Sequence, residues 1–193
     1  MKKLFLMAAL CCMSVGAFAQ HEAGTFTLQP KFGMNVANIT GDDIDGVKAK
    51  VGFVAGAEAE YQFTDMISGA VGVLWSQQGC MSKYDHPLTG KKAKLFLDYI
   101  NVPVVCNVYV AKGLAVKAGV QFGFQLNDDI KSDGNKVGEW DGKEFDFSIP
   151  VGLSYEYSNV VLDARYNWGL TKTNEIKTHN SVFQFTLGYK FAL

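Results

Sequence analysis

Charged residues of both signs stand at alternate positions inside otherwise apolar stretches, which is the first chemistry this sequence offers. Lys31, Glu58, Glu60, Lys117, Asp146, Glu156, Asp163, Arg165 and Lys190 each have apolar or aromatic neighbours on one or both sides. On a strand, successive side chains point to opposite faces, so this spacing gathers the charges on one face and leaves the other oily. Four carboxylate–ammonium or carboxylate–guanidinium combinations can form among them, and a buried charge requires such a partner. A second group of residues could act in hydrolysis: His179 with Ser181, and His86 with Ser82 and Asp85, the nucleophile and base of an enzyme acting on lipid or peptide at one rim. Both histidines fall in polar loop sequence, where a solvated imidazole is the commoner explanation.

These residues need elements to position them, and the alternation supplies strands. The C-terminal run is the clearest: Phe183, Phe185, Leu187, Tyr189, Phe191 and Leu193 share one face, and Gln184, Thr186, Gly188, Lys190 and Ala192 the other. The same two-faced pattern recurs at 25–39, 50–63, 67–77, 94–110, 114–126, 144–157 and 160–170. Asp98 disturbs the fourth of these, which implies a bulge close to it or a position above the bilayer edge. Polar stretches at 40–49, 80–93, 127–143 and 171–180 alternate with very short turns near Thr64, Lys112 and Ser158. Long loops at one end and tight turns at the other, with strands of about ten residues, predict an all-β fold: an eight-stranded antiparallel up-and-down transmembrane β-barrel.

The oily face carries aliphatic or small residues mid-strand, such as Ala55, Val71, Val104, Ala118, Val151 and Ala164. Tyr61, Phe63, Tyr109, Tyr155, Tyr157 and Tyr189 are expected to form an aromatic girdle near the tight turns. Trp75, Phe122, Phe124, Phe145, Phe147, Tyr166, Trp168 and Phe183 are expected to form a second near the long loops. The charged face then lines the lumen as a salt-bridged plug. A secreted soluble β-barrel binding a small ligand would need an oily interior, and a covered β-sandwich would need a polar outside; neither accounts for the girdles together with the charges.

Composition fits this reading. The chain has 193 residues, 48% of them hydrophobic, and a formal net charge of −1, so no basic patch points to nucleic acid. Met1-Lys2-Lys3, the apolar run from Leu4 to Ala9, and Ala17-Phe18-Ala19 have the layout of a secretory signal. Cleavage is expected between Ala19 and Gln20, giving a signal peptide at 1–19 and a barrel domain at 20–193. A first buried helix and a lipoprotein at Cys11 or Cys12 are the alternatives; Leu10 stands where lipidation wants a small residue. Cys80 and Cys106 remain after cleavage and are expected to lie too far apart for a bridge. Asp42-Asp43-x-Asp45-Gly46 and Asp128-Asp129 through Asp133-Gly134 lack the spacing of an EF-hand, so no metal or other cofactor is expected. Asn38-Ile39-Thr40 fits a glycosylation acceptor only in a compartment such a protein never visits.

Asp98-Tyr99-Ile100-Asn101-Val102-Pro103, Asp163-Ala164-Arg165-Tyr166-Asn167-Trp168-Gly169-Leu170 and Leu187-Gly188-Tyr189-Lys190-Phe191 resemble the recurring motifs of the PorT-like outer-membrane β-barrel proteins of Bacteroidetes. The resemblance runs over the whole mature chain. It implies a small non-enzymatic barrel in the cell outer membrane, with a secretion and gliding role attached to some members. Gly188, Phe191 and Leu193 are similar to the C-terminal signal read by the barrel assembly machinery, although Leu187 stands where a polar residue is usual. The partners implied are outer-membrane lipid, that machinery during biogenesis, and a protein or glycolipid at the loops 80–93 and 127–143.

Overall fold

A computed structural model describes residues 22–41, 47–85, 92–132, 135–139, 145–172 and 178–193. The signal segment and its Ala19–Gln20 junction lie outside the described residues, as do His86, the whole acidic segment 42–46, and Asp133-Gly134.

The strands follow from the alternation. β1 (Phe26–Gly41), β2 (Val47–Gln62) and β3 (Ile67–Gln78) form consecutive antiparallel pairs. β4 (Cys80–Asp85) carries the line of β3 onward after Gly79, and both pair with β5 (Lys92–Ala111). β6 (Leu114–Ser132) follows, with the short β7 (Asn135–Glu139) folded back on its far end, then β8 (Phe145–Tyr157) and β9 (Val160–Lys172). β10 (Thr178–Tyr189) and β11 (Phe191–Ala192) are two parts of one stave and return to β1. Among the described residues every pairing is antiparallel, and eight staves close the sheet on itself, so no long edge is left open.

The register fixes the diameter. Asn35 pairs with Gly52 on one side. On the other, the partners run Gln184, Arg165, Gly152, Lys117, Asn107 and Ser68, returning to β2 at Gln62, ten residues along from Gly52. Eight staves with that stagger tilt by about 40° and put the backbone about 8 Å from the axis. Side chains from facing walls can meet there.

Turn chemistry agrees with the short ends. Ser158 and Asn159 have φ of 46° and 70°, both left-handed, as a two-residue hairpin turn matched to strand twist requires. Gly113, with φ 75°, supplies the same freedom between β5 and β6. At the other end the strands run further than the oily alternation foretells: β4 and the start of β5 occupy much of the stretch expected as loop 80–93, and β6 continues to Ser132. Backbone pairing continues there after the apolar face, the cue used in the sequence, has ended.

The irregularity near Asp98 is a bulge on the neighbouring strand. Asp98 pairs with Asn127 and Tyr99 with Gln125, leaving Leu126 as the extra residue of β6. Asp98 keeps outward parity beyond the level of Trp75 and Ile100.

Burial is inverted relative to a water-soluble protein. Polar and charged residues outnumber apolar ones among the buried side chains, whereas Phe32, Phe53, Val71, Val104, Val151, Leu162, Trp168 and Phe183 are exposed. Aromatic rings pair at both rims: Tyr61 with Phe63 at 5.3 Å and Tyr189 with Phe191 at 4.8 Å at the short-turn end, Phe122 with Phe147 at 5.6 Å and Tyr166 with Phe183 at 4.6 Å at the other. Tyr109 corrects one expectation. It is 5% exposed and points into the lumen, because it shares the parity of Val105 and Asn107.

Candidate functional site: a two-layer charge network in the lumen

Six staves place charged side chains in the interior, and eight of the nine charges named from the sequence fall into two layers. The central layer is organised by β9, where Asp163 and Arg165, two residues apart, share the inward face. Arg165 Nε donates to Asp163 Oδ1 at 2.8 Å and Nη2 to Oδ2 at 2.7 Å. The same guanidinium reaches across to β2, with Nη2 donating to Glu58 Oε2 at 2.8 Å and Nη1 lying 2.7 Å from Oε1. Its planar fork suits this double engagement of two carboxylates. Lys31 Nζ from β1 donates to Glu58 Oε2 at 2.8 Å and to Asp163 Oδ2 at 3.4 Å, and Lys117 Nζ from β6 donates to Asp163 Oδ2 at 2.7 Å. All five side chains are at most 4% exposed.

The second layer lies nearer the short turns. Lys190 Nζ is 2.9 Å from Glu60 Oε2 and 3.0 Å from Glu156 Oε2, and donates to Tyr109 Oη at 2.8 Å. Tyr109 Oη in turn donates to Glu60 Oε1 at 2.7 Å, as does Ser68 Oγ at 2.5 Å, and Asn107 Nδ2 donates to Ser68 Oγ at 2.9 Å. Lys190 also stands 5.5 Å from the Tyr109 ring centroid. The central layer holds three cations against two carboxylates; the lower layer holds one cation against two. Each layer thus offsets the other, and the eight groups together are neutral.

Asp146 belongs to neither layer. It has inward parity but sits higher, opposite Gly123, in a zone of amides and hydroxyls that also holds the buried Lys50, whose Nζ donates to Gln78 O at 2.9 Å. There Asn35 Nδ2 donates to Ser76 Oγ at 2.7 Å, Gln121 Nε2 to Ser148 Oγ at 3.2 Å and Tyr99 Oη to Gln125 Oε1 at 3.1 Å, while Asn180 bonds Gln78. Tyr109, Ser68 and Asn107 were missed as members of the lower layer. Strand parity carried from Val105 was the signal that could have found Tyr109.

Of the hydrolytic candidates, only the His179 and Ser181 set falls among the residues whose side chains are described. Ser181 Oγ shares a hydrogen bond with Tyr166 Oη at 2.8 Å on the outward side of the wall. Of the other set, His86 and the side chains of Ser82 and Asp85 lie outside the described residues. Cys106 is a free, outward-facing thiol whose backbone pairs with Gly69, and Cys80 pairs with Ala49 at the opposite end of the neighbouring stave. In the last stave Gly188 pairs with Lys31, and Phe191 and Leu193 face outward.

Residues 18–175 match the family described as outer membrane protein beta-barrel domain. The chain belongs to that family. Its localisation is accordingly the outer membrane, and the exposed aromatic and aliphatic face is the lipid face. Solved structures agree with the fold of this outer-membrane barrel. Neisserial surface protein A is similar at 15% identity and a TM-score of 0.58, covering 86% of this chain and 97% of that one. The attachment invasion locus protein Ail of Yersinia pestis is similar at 15% identity and a TM-score of 0.55, covering 88% and 99%. No curated protein sequence matches the chain.

Proposed function

We propose that this outer-membrane barrel is a non-enzymatic envelope protein whose lumen is closed by its own charges and whose long loops engage a partner at the cell surface. The observation that carries the reading is the central layer. Lys31, Glu58, Lys117, Asp163 and Arg165 bridge β1, β2, β6 and β9 across a barrel about 8 Å in radius, leaving side chains where a channel would run. The chain is exported through the 1–19 signal peptide with cleavage before Gln20, and Gly188, Phe191 and Leu193 present the last stave to the assembly machinery. The PorT-like resemblance of its motifs supports reading it as a barrel of the Bacteroidetes kind, with the loops 80–93 and 127–143 as the surfaces offered to protein or glycolipid.

Planar-bilayer recording of the refolded full chain tests the closed lumen. Background conductance is expected across a broad voltage range; stable steps of porin size would overturn the reading. In-cell crosslinking from the 127–143 loop, followed by identification of the captured molecule, tests the surface role, and finding lipid-modified or peptide product instead would favour an enzyme.

A further inference from the structure

The staves that close the barrel meet in a ladder that is interrupted at one place. β1 and β10 pair without a break from Gly41–Thr178 down to Lys31–Gly188, and pairing resumes at Leu28–Phe191 in the same register. Gln29 and Pro30 on one side, and Tyr189 and Lys190 on the other, are left out. The cause is a proline. Pro30 has no N–H, and its carbonyl lies on the β10 side, where a Cβ on Gly188 would come within 2.9 Å of it, so the missing donor is a seam donor. Lys190 continues the β9 ladder in the register of Gly188–Val161: its N–H donates to Asn159 O at 2.8 Å, and its carbonyl accepts from Asn159 Nδ2 at 3.0 Å. The same parity points its ammonium inward, to Glu60 and Glu156. Behind the gap, Gln29 Nε2, Thr27 Oγ1 and Thr186 Oγ1 are buried without a hydrogen-bond partner.

A groove of about 510 Å³ opens on the lipid face at this interruption. Pro30, Ala55 and the backbone of Gly188 form its floor, and Phe32, Val160 and Tyr189 its sides. It shares Phe32 and Leu187 with a second apolar groove of about 710 Å³ that runs from the seam across β9 and β8 to Leu114 of β6.

We infer that the closing seam is a specific lipid site, seating one acyl chain of a glycerophospholipid from the periplasmic leaflet. The wall is in the membrane, so the occupant is lipid. Tyr189 belongs to the aromatic ring at the short-turn rim, which faces the periplasm in barrels of this type, so the groove lies in the leaflet that borders it. The site differs from the rest of the lipid face because small residues and bare backbone make it concave where the ladder is broken. An acyl chain there restores the dispersion contacts that the recessed floor withholds from its neighbours. It also covers the backbone beside Pro30, which offers the seam no N–H donor.

The test uses the full chain folded into phosphatidylethanolamine vesicles containing a trace of phosphatidylethanolamine with a diazirine on one acyl chain. After irradiation, peptides covering 26–34 and 185–193 are expected to carry severalfold more adduct than those covering 69–75 and 102–108 on the opposite wall. Ala55→Trp, which fills the floor from the lipid side, is expected to reduce seam labelling to that of the opposite wall while the heat-modifiable folded band is retained. Val160→Trp does the same from the other side of the groove, should Ala55→Trp fail to fold. Equal labelling of all walls, or seam labelling unchanged in a folded variant, would overturn the site. Preferential labelling by an outer-leaflet glycolipid carrying the same group, or a seam shielded from label by a crosslinked second copy, would also overturn it.

Discussion

Removing charges from the central layer one at a time should destabilise the barrel in an order set by what is left behind. Arg165→Leu deletes three hydrogen bonds to carboxylates and a fourth close contact, yet leaves Lys31 and Lys117 facing Glu58 and Asp163, two charges of each sign. Glu58→Gln loses less hydrogen bonding but leaves three cations around one carboxylate. Breaking a buried pair by removing one partner costs about 3–5 kcal/mol, chiefly through the uncompensated charge that remains. Arg165→Leu therefore belongs at the low end, about 3 kcal/mol, and Glu58→Gln at the high end, about 5 kcal/mol. Lys117→Met removes a single charge-assisted bond and leaves the same balance as Arg165→Leu, for about 1.5–3 kcal/mol. The gap of about 2 kcal/mol between the first two is about thirtyfold in the folded-to-unfolded ratio. Urea titration of each variant refolded in vesicles, followed by loss of the heat-modifiable band on unboiled gels, measures it. Arg165→Leu proving worse than Glu58→Gln would refute charge balance as the governing term. Indifference to both would refute the buried network itself.

Three further outcomes follow from other parts of the wall. Lys190→Met should abolish recovery of folded protein or cost about 3–5 kcal/mol, because Glu60 and Glu156 lose the cation between them; the yield of heat-modifiable protein reads this. Gly33→Ala would drive a Cβ into the Phe185 carbonyl oxygen of the seam strand, so the assembled fraction in outer-membrane preparations should fall sharply, whereas Gly24→Ala meets no atom and disturbs only its φ of 91°. Val104→Arg puts a charge on the lipid face and should cost about 2–4 kcal/mol if the residue lies near the bilayer midplane, measurable by the same urea titration.

Period-two alternation made the staves, the lipid face and the identity of the lumen charges legible, because the outward face is almost wholly apolar at bilayer depth while the charges keep to the inward one, alongside apolar residues such as Val54, Leu74 and Val105. It said nothing of which charges meet. Glu58 faces Arg165, and Lys31 faces Asp163, only through a closed sheet with a stagger of ten, a property of all the pairings together. Asp146 shows the limit: parity placed it inside, but depth separates it from both layers, and depth follows from tilt. Tyr109 shows a different one. Residue type drew it to the aromatic girdle, whereas counting from Asn107 puts it against Glu60 and Lys190. The bulge opposite Asp98 could be sensed on β5 and yet resides in Leu126 of β6, since a register shift belongs to a pair of strands. Strand ends were underread where polar residues continue a ladder in water.

The distribution of the layers along the chain also bears on how the barrel forms. The first four staves bring Lys31, Glu58 and Glu60, an excess of one negative charge; the last four bring Lys117, Glu156, Asp163, Arg165 and Lys190, an excess of one positive charge. The bonds that join them link residues 107 and 132 positions apart in sequence. Neither half completes the two layers alone, so a half-inserted sheet would hold charges without their layer partners at bilayer depth. Insertion and closure are thereby coupled: the polar interior can cross the hydrocarbon only as a nearly complete ring, with the two chain ends arriving together.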